Sequence, residues 1–589
     1  MHYFRVAPAH WRRCLQALHS LGLAMVETYV PWGVHERGPG RFDFTGPRDL
    51  GAFLDLAAAA GLRAIVRPGP HINAELDWFG FPGRIVADPR FAMRTGRGTP
   101  AVLLVPPRGF PVPSYAGRAF LDEVRGWYAA VAEVVAPRLH PMGPVVALQV
   151  DNEHALFFRS GAYDGDYHDE ALERWRAAHG GKEPPRKFFA KSAADLAPHL
   201  AWLAFREQET VVALDRLSKM LDEVGLSAVP HTHNFPPMDP GVYDVAAAET
   251  AVAIAGIDLY HPKSQYERVR RRALYLAGTS RLPYVPEMGM GSFPWGPPLR
   301  NEDGIYQLLN ALAHGVAGFN LYMAVERDRW LGAPIASDGT LRPQLAEPLR
   351  RIVDALTDAH WTELGCVRDV GVLLPRGYQR LALASSHLGP IGPAFGEWLG
   401  LHEHAAREDS FGLAGPVQIE QSEWWSAILG SLTRRHVAFA IVDASSSAKQ
   451  LQRFRTLIVP TFDFLDRDLW HRLCDYSARG GRLISGPRRP QLDDAFQPLE
   501  GDLPGERLPP APTSLDAALL FDGDSPLQPL HDQTIYRRSD GSPALRFIGS
   551  RSAEATTAQI DVHLEDVVEG TEYSDAVPLP PFGVRLLRS

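Results

Sequence analysis

From residue 1 to about 365, short runs of apolar and β-branched residues alternate with longer stretches in which apolar positions recur every three or four residues. This is the pattern of a parallel sheet whose strands are joined by crossover helices. Residues 2–6, 25–32, 63–67, 145–150, 227–231, 254–260, 284–287 and 318–323 are the predicted strands, and 11–21, 50–60, 120–135 and 202–224 are predicted amphipathic helices. Eight β/α units in residues 1–365 predict an α/β fold of the (β/α)8 TIM-barrel kind with some long loops. A doubly wound sheet would need a Gly-rich turn after its first strand, and none is present.

The pattern changes twice more. Within residues 366–500, runs 369–375, 437–443, 456–460 and 482–485 predict strands, and 424–435 and 466–479 predict helices, the second closed by Gly480-Gly481. This predicts a small flavodoxin-like α/β domain. Residues 501–589 are rich in Pro, with β runs at 545–549, 558–564 and 583–587, and predict a small antiparallel β domain. Residues 501–512 predict the linker.

Composition narrows the function classes. A chain of 589 residues exceeds one hydrophobic core, in keeping with three units. A formal net charge of −9 argues against nucleic acid or anionic membrane as the main partner. The sequence holds no apolar run long enough to span a bilayer. Cys14, Cys366 and Cys474 lie far apart, implying neither a disulfide framework nor a metal site, and they suit a reducing compartment. Met1-His2-Tyr3-Phe4-Arg5 has no signal-peptide character, so the expected location is cytoplasmic.

In a TIM barrel, side chains that do chemistry sit where strands end at the C-terminal face. Six of the eight predicted strands end in unusual polar residues, among them Glu27-Thr28-Tyr29, His71-Ile72-Asn73-Ala74-Glu75, Asp151-Asn152-Glu153, Asp258-Leu259-Tyr260-His261, Glu287 and Asn320-Leu321-Tyr322. Glycosidic cleavage needs one carboxylic acid to protonate the leaving oxygen and one carboxylate to meet the oxocarbenium-like carbon. Glu153 and Glu287, ending the fourth and seventh predicted strands, are the pair placed to do this. Other features read more plainly. His231-Thr-His233-Asn234 predicts a hydrogen-bonded pocket rather than a metal site, and Arg270-Arg-Arg272 a solvated helix face. Trp32, Trp78, Trp295 and Trp330 are candidate sugar platforms or core residues.

Several blocks resemble the family 35 glycoside hydrolases, whose main activity is β-galactosidase: His2-Tyr-Phe-Arg5, Gly22-Leu-Ala-Met-Val-Glu-Thr-Tyr-Val-Pro-Trp32, Gly40-Arg-Phe-Asp-Phe-Thr-Gly46, Arg67-Pro-Gly-Pro-His-Ile-Asn-Ala-Glu75 and Gly143-Pro-Val-Val-Ala-Leu-Gln-Val-Asp-Asn-Glu153. The resemblance implies a retaining exo-β-glycosidase with Glu153 as acid/base and Glu287 as nucleophile, working without cofactor or metal. It maps sugar-binding roles onto Tyr29, Asn73, Ala74, Glu75, Asn152 and Tyr322, with Tyr260 beside the nucleophile. The Gly-Gly-Thr-Asn-Phe-Gly block usual after the eighth strand is replaced by Met323-Ala-Val-Glu-Arg-Asp-Arg-Trp330. Residues 455–487 instead resemble the flavodoxin-like trimerisation domain of the family 42 β-galactosidases, and Leu579-Pro-Pro-Phe-Gly-Val-Arg-Leu-Leu587 their small C-terminal β domain. This implies a homo-oligomer, as a trimer. Relatives carry a strand segment upstream of the position of Met1, so the sequence is expected to start late. The alternatives left open are a retaining enzyme for a β-mannoside, β-glucoside or α-L-arabinopyranoside, and a non-catalytic carbohydrate-binding protein.

Overall fold

The structure is a computed structural model that describes residues 1–103, 109–154, 161–238, 243–292, 299–385, 411–519 and 531–588; Trp295 lies outside them. The barrel is an arc of parallel strands, β1 (Met25–Tyr29), β2 (Arg63–Arg67), β3 (Val145–Asn152), β4 (His231–Phe235) and β5 (Ile254–Ile257), paired in that order. It continues into β6 (Tyr284–Gly289) and β7 (Gly318–Tyr322), which pair with each other. Backbone bonds joining Leu259 to Glu287 and Gly289 link β5 to β6. At Gly256 a Cβ would lie 2.4 Å from both the Tyr284 carbonyl oxygen and the Pro286 ring, so only glycine lets β5 approach β6 this closely. Helices such as Pro8–Ser20 and Arg118–Val135 bury one face each, the first through Trp11, Cys14, Leu15 and Leu18.

Two strand expectations are corrected. Residues 2–6 form a 3-10 turn, Tyr3–Arg5, not a strand. His2 and Tyr3 are both buried. The His2 ring packs 5.1 Å from Tyr29 and 5.5 Å from Tyr322, so this segment fills the interval between β7 and β1 without pairing as a strand. The fifth strand runs from His231 to Phe235, four residues later than expected, because the preceding helix unwinds through Asp222–Leu226 and a left-handed Gly225. All five residues of His-Thr-His-Asn-Phe are buried, a polar strand that hydropathy alone does not reveal.

In the middle of the chain, β8 (Val370–Leu374), β9 (Phe439–Asp443), β10 (Thr456–Thr461), β11 (Arg482–Pro487) and β12 (Glu506–Arg507) form a parallel sheet in the order β9-β8-β10-β11-β12, the flavodoxin-like arrangement. The expected linker therefore contributes the fifth strand, with Ile484 opposite Glu506 and Ser485 opposite Arg507. Asp466 caps the helix Arg467–Ala478 by accepting from Leu469 N at 2.9 Å. The C-terminal edge of this sheet, where such folds usually open a ligand crevice, is docked on the barrel instead. Arg376 reaches Glu207 at 2.9 Å, Asp443 at 2.8 Å and Asp244 at 3.7 Å.

The C-terminal segment forms an antiparallel five-stranded sheet that includes His531–Arg537, Pro543–Ser550 and Val584–Arg588. It is pinned to the barrel through Asp532, which meets Arg270 at 3.2 Å, Tyr266 OH at 3.1 Å and His314 at 3.6 Å. Arg270 and His314, acting against the cost of burial, hold the Asp532 carboxyl well below its usual range. This corrects the reading of residues 270–272 as a solvated face: Arg270 is 5% and Arg272 1% exposed. Among the described residues, no helix is long and apolar enough to cross a membrane.

Candidate active site

Polar residues on β1, β3 and β6 converge on one buried charge, the Arg67 guanidinium at the end of β2. Its Nη1 lies 2.6 Å from Glu287 Oε1 on β6, its Nη2 donates to Asn152 Oδ1 at 2.9 Å, and its Nε lies 3.3 Å from Glu27 on β1. Its face stacks 4.2 Å from the Tyr29 ring. Directly after Arg67, Gly69 turns the chain with φ +60°, where a Cβ would strike the His71 carbonyl oxygen at 2.8 Å, and brings the loop of residues 71–75 over the barrel mouth.

Glu287 is surrounded by donors. The Tyr29 and Tyr260 hydroxyls both donate to it, Arg67 pairs with it, and Asn234 Nδ2 approaches within 3.4 Å. This set complements a carboxylate and fixes its aim. Asn152 Oδ1 lies within reach of Tyr29 OH at 2.6 Å, Arg67 Nη2 at 2.9 Å and Asn234 Nδ2 at 3.0 Å. With the single Tyr29 proton given to Glu287, the Arg67 and Asn234 donors on this oxygen set the amide's orientation and turn its own Nδ2 away from them.

Glu153 follows β3 with its backbone in the left-handed region, φ +42°, and its N–H donates to Asn234 Oδ1 at 3.1 Å. The side chains of Asp258 and Asn73 lie against its carboxyl. Burial, reinforced by the negative charge of Glu287 and offset in part by Arg67, pushes it up to about 8. Both effects favour its protonated form, the form in which a carboxyl can give up a proton. Burial likewise raises Glu27 to about 7 against the opposing pull of Arg67.

A carboxyl raised on folding supports the folded state below its unfolded value and loses that support as pH rises. For Glu153 the window runs from 4.5 to about 8. Glu153→Gln is thus expected to melt above wild type at about pH 8, with the advantage, on the order of a few kcal/mol, vanishing near pH 5. Melting curves across this range check it; a gain that does not vary with pH would assign the effect to packing.

The structure gathers the residues singled out in the sequence. Tyr29, Ala74 and Tyr322 share an apolar cluster with Ile72, Met323 and Trp330, and Tyr260 packs against its edge. Trp330 stands 4.9 Å from Tyr322 and 5.9 Å from Tyr260, giving an aromatic wall. Trp32 is fully buried and stacks on Trp127, a core role. The Glu75 carboxyl, expected to meet sugar hydroxyls, is also engaged by two cations. Its Oε2 pairs with Arg327 at 2.5 Å and lies 3.8 Å from Arg5. Arg327 belongs to the segment that replaces the usual block after the eighth strand, and its Nη2 also donates to Tyr322 OH at 3.1 Å. His231 and His233 are hydrogen-bonded, to Ser218 Oγ at 2.8 Å and Asp151 O at 3.1 Å.

Sequence reading passed over Arg67, Asn234 and Asp258 as site residues. Each ends or closely follows a barrel strand, which was the available signal; their partners lie on other strands. Asn234 alone touches Glu153, Asn152 and Asp258 and approaches Glu287, and Gln149 Nε2 donates to its Oδ1 at 2.8 Å.

Residues 1–99 match the model of glycosyl hydrolases family 35, and residues 413–501 match a model described as GLMA-like, second domain. The beta-galactosidase of Xanthomonas manihotis is 38% identical over 167 residues, 28% of this chain and 25% of that protein. The chain spans about a quarter of the length of the curated relatives it matches. Among solved structures, the beta-galactosidase of Bacillus circulans sp. alkalophilus aligns with a TM-score of 0.70 at 13% identity, covering 100% of this chain and 98% of that one. Gan42B, a GH42 beta-galactosidase from G. stearothermophilus, aligns with a TM-score of 0.67 at 12% identity, covering 100% and 98%. The chain thus joins an N-terminal segment similar to glycosyl hydrolases family 35 to a whole-chain fold shared with GH42 beta-galactosidases.

Proposed function

We propose that the protein is a retaining exo-β-glycosidase that removes terminal β-D-galactosyl residues, with Glu153 as acid/base and Glu287 as nucleophile. The observation that carries this is the contrast between the two carboxyls: Glu287 sits among donors and a guanidinium, whereas Glu153 is buried and raised to about 8. Two carboxyls whose surroundings drive them apart suit the two roles of a double displacement. In the first step a Glu287 oxygen bonds the anomeric carbon, the glycosidic bond breaks, and the leaving oxygen takes the Glu153 proton. In the second, Glu153 takes a proton from water, whose oxygen displaces Glu287. Asn152 Nδ2 supplies a donor for the sugar 2-hydroxyl, a contact that strengthens in the transition state. Tyr29, Tyr260, Tyr322 and Trp330 wall the sugar, and Asn73, Ala74 and Glu75 meet its remaining hydroxyls. No cofactor or metal enters this scheme.

The Glu75–Arg327 pair favours a second reading, in which the same chemistry acts on a β-mannoside, β-glucoside or α-L-arabinopyranoside. A panel of aryl β-glycosides assayed with wild type and Glu287→Gln, with the first-formed anomer followed by NMR, separates the readings. Turnover confined to galactoside, with retention and lost in the variant, supports the first. Retention on another glycoside transfers the mechanism to that sugar, and turnover that survives Glu287→Gln rejects both. The resemblance of residues 455–487 to the trimerisation domain of the family 42 β-galactosidases supports assembly as a homo-oligomer, a trimer in this reading. The three free cysteines suit a reducing cytoplasm.

A further inference from the structure

The retaining scheme needs two carboxyls, and the structure buries a third beside them. Asp258 closely follows β5 and is wholly inaccessible. Its Oδ2 accepts from Asn234 Nδ2 at 2.6 Å. Its Oδ1 is buried and, among the described residues, no N–H or O–H group donates to it. The group beside it is the Glu153 carboxyl, and Asn234 ties the two together, since its Oδ1 accepts the Glu153 N–H. Carboxyls in contact away from water cannot both carry charge, and a hydrogen bond between them requires that they hold a proton in common.

We propose that Asp258 is a positioning residue for the general acid, forming with Glu153 a one-proton pair in which Asp258 holds the proton-bearing carboxyl until the glycosidic oxygen takes its place as acceptor. This rests on the reading of Glu153 as acid/base. The pair is faced by Glu287 on β6 and by Arg67 on β2, and the phenols of Tyr260 and Tyr284 also lie close to Asp258. Glu287 adds to retention of the proton and Arg67 opposes it. The residence of the proton into the alkaline range follows from burial first and from the neighbouring carboxylates second.

The pair makes Asp258 a determinant of the alkaline limb of activity. Asp258→Asn keeps the shape but leaves Glu153 with an amide neighbour that can donate to its ionised form. The alkaline limb of kcat/KM is expected to move down by about 1–2 pH units. With an activated aryl leaving group at about pH 5, where Glu153 stays protonated, turnover should change only a few-fold. Asp258→Ala, which removes charge and hydrogen bond together, must move the limb in the same direction and serves if the amide variant does not fold. A limb that stays in place while activity falls equally at every pH would mark Asp258 as merely structural and overturn the proposal. Glu287→Gln, run beside it, separates the two failures: loss of turnover there with an unmoved limb in Asp258→Asn leaves the glycosidase reading standing, whereas turnover surviving Glu287→Gln removes the reading itself.

Discussion

Glu287→Ala is expected to lower kcat on the order of 10⁴-fold or more, and azide is expected to restore part of the loss. The side chain is anchored by Arg67, Tyr29 and Tyr260, so truncation leaves a polar pocket already lined with donors for an anion. Azide entering there attacks the anomeric carbon from the face opposite the leaving group and yields an α-glycosyl azide. In Glu153→Gln the nucleophile remains, the glycosyl intermediate forms with good leaving groups, and azide attacks from the other face to yield a β-glycosyl azide. The stereochemistry thus assigns the two glutamates separately. An α-azide from the Glu153 variant, or none from either with turnover intact, would reverse or remove the assignment.

Arg67→Met is expected to be the most damaging change outside the reacting pair. The guanidinium is 2% exposed and is shared by Glu287, Glu27 and Asn152. Removing one partner from such a buried group leaves carboxylates without a counter-charge, a loss on the order of 3–5 kcal/mol. Turnover should fall with it, because the group that neutralises and aims Glu287 is gone. Adding Glu27→Gln removes one stranded carboxyl that the reaction does not use. The double variant is expected to recover part of the stability in denaturant titrations but not the turnover. Recovery of both would show that Arg67 serves only to accommodate Glu27.

Periodicity made much of this architecture legible. The β/α alternation over residues 1–365 is realised in the barrel, and the runs that predicted four middle strands coincide closely with Val370–Leu374, Phe439–Asp443, Thr456–Thr461 and Arg482–Pro487. Both signals are local: a two- or 3.6-residue repeat records which face of an element is buried. The reading failed where burial does not follow that repeat. Residues 2–6 are apolar enough for a strand yet form a turn between Tyr29 and Tyr322, and His231–Phe235 is a strand made mainly of polar residues because the barrel interior there is itself polar.

The same boundary runs through the site. Sequence by itself determined that Glu27, Asn152, Glu153, Tyr260 and Glu287 lie in or just after barrel strands, since that depends on the residues immediately around them. Tertiary structure decided who meets whom: Arg67 with Glu287, Asn234 with Glu153 and Asp258, Arg327 with Glu75, and Arg270 with Asp532. The nearest of these partners are 24 residues apart and the most distant 262. No local repeat encodes such pairings, because the strand curvature and loop closures that bring the groups together are set by the whole core, and the low-dielectric enclosure that raises Glu153 exists only once the core has formed.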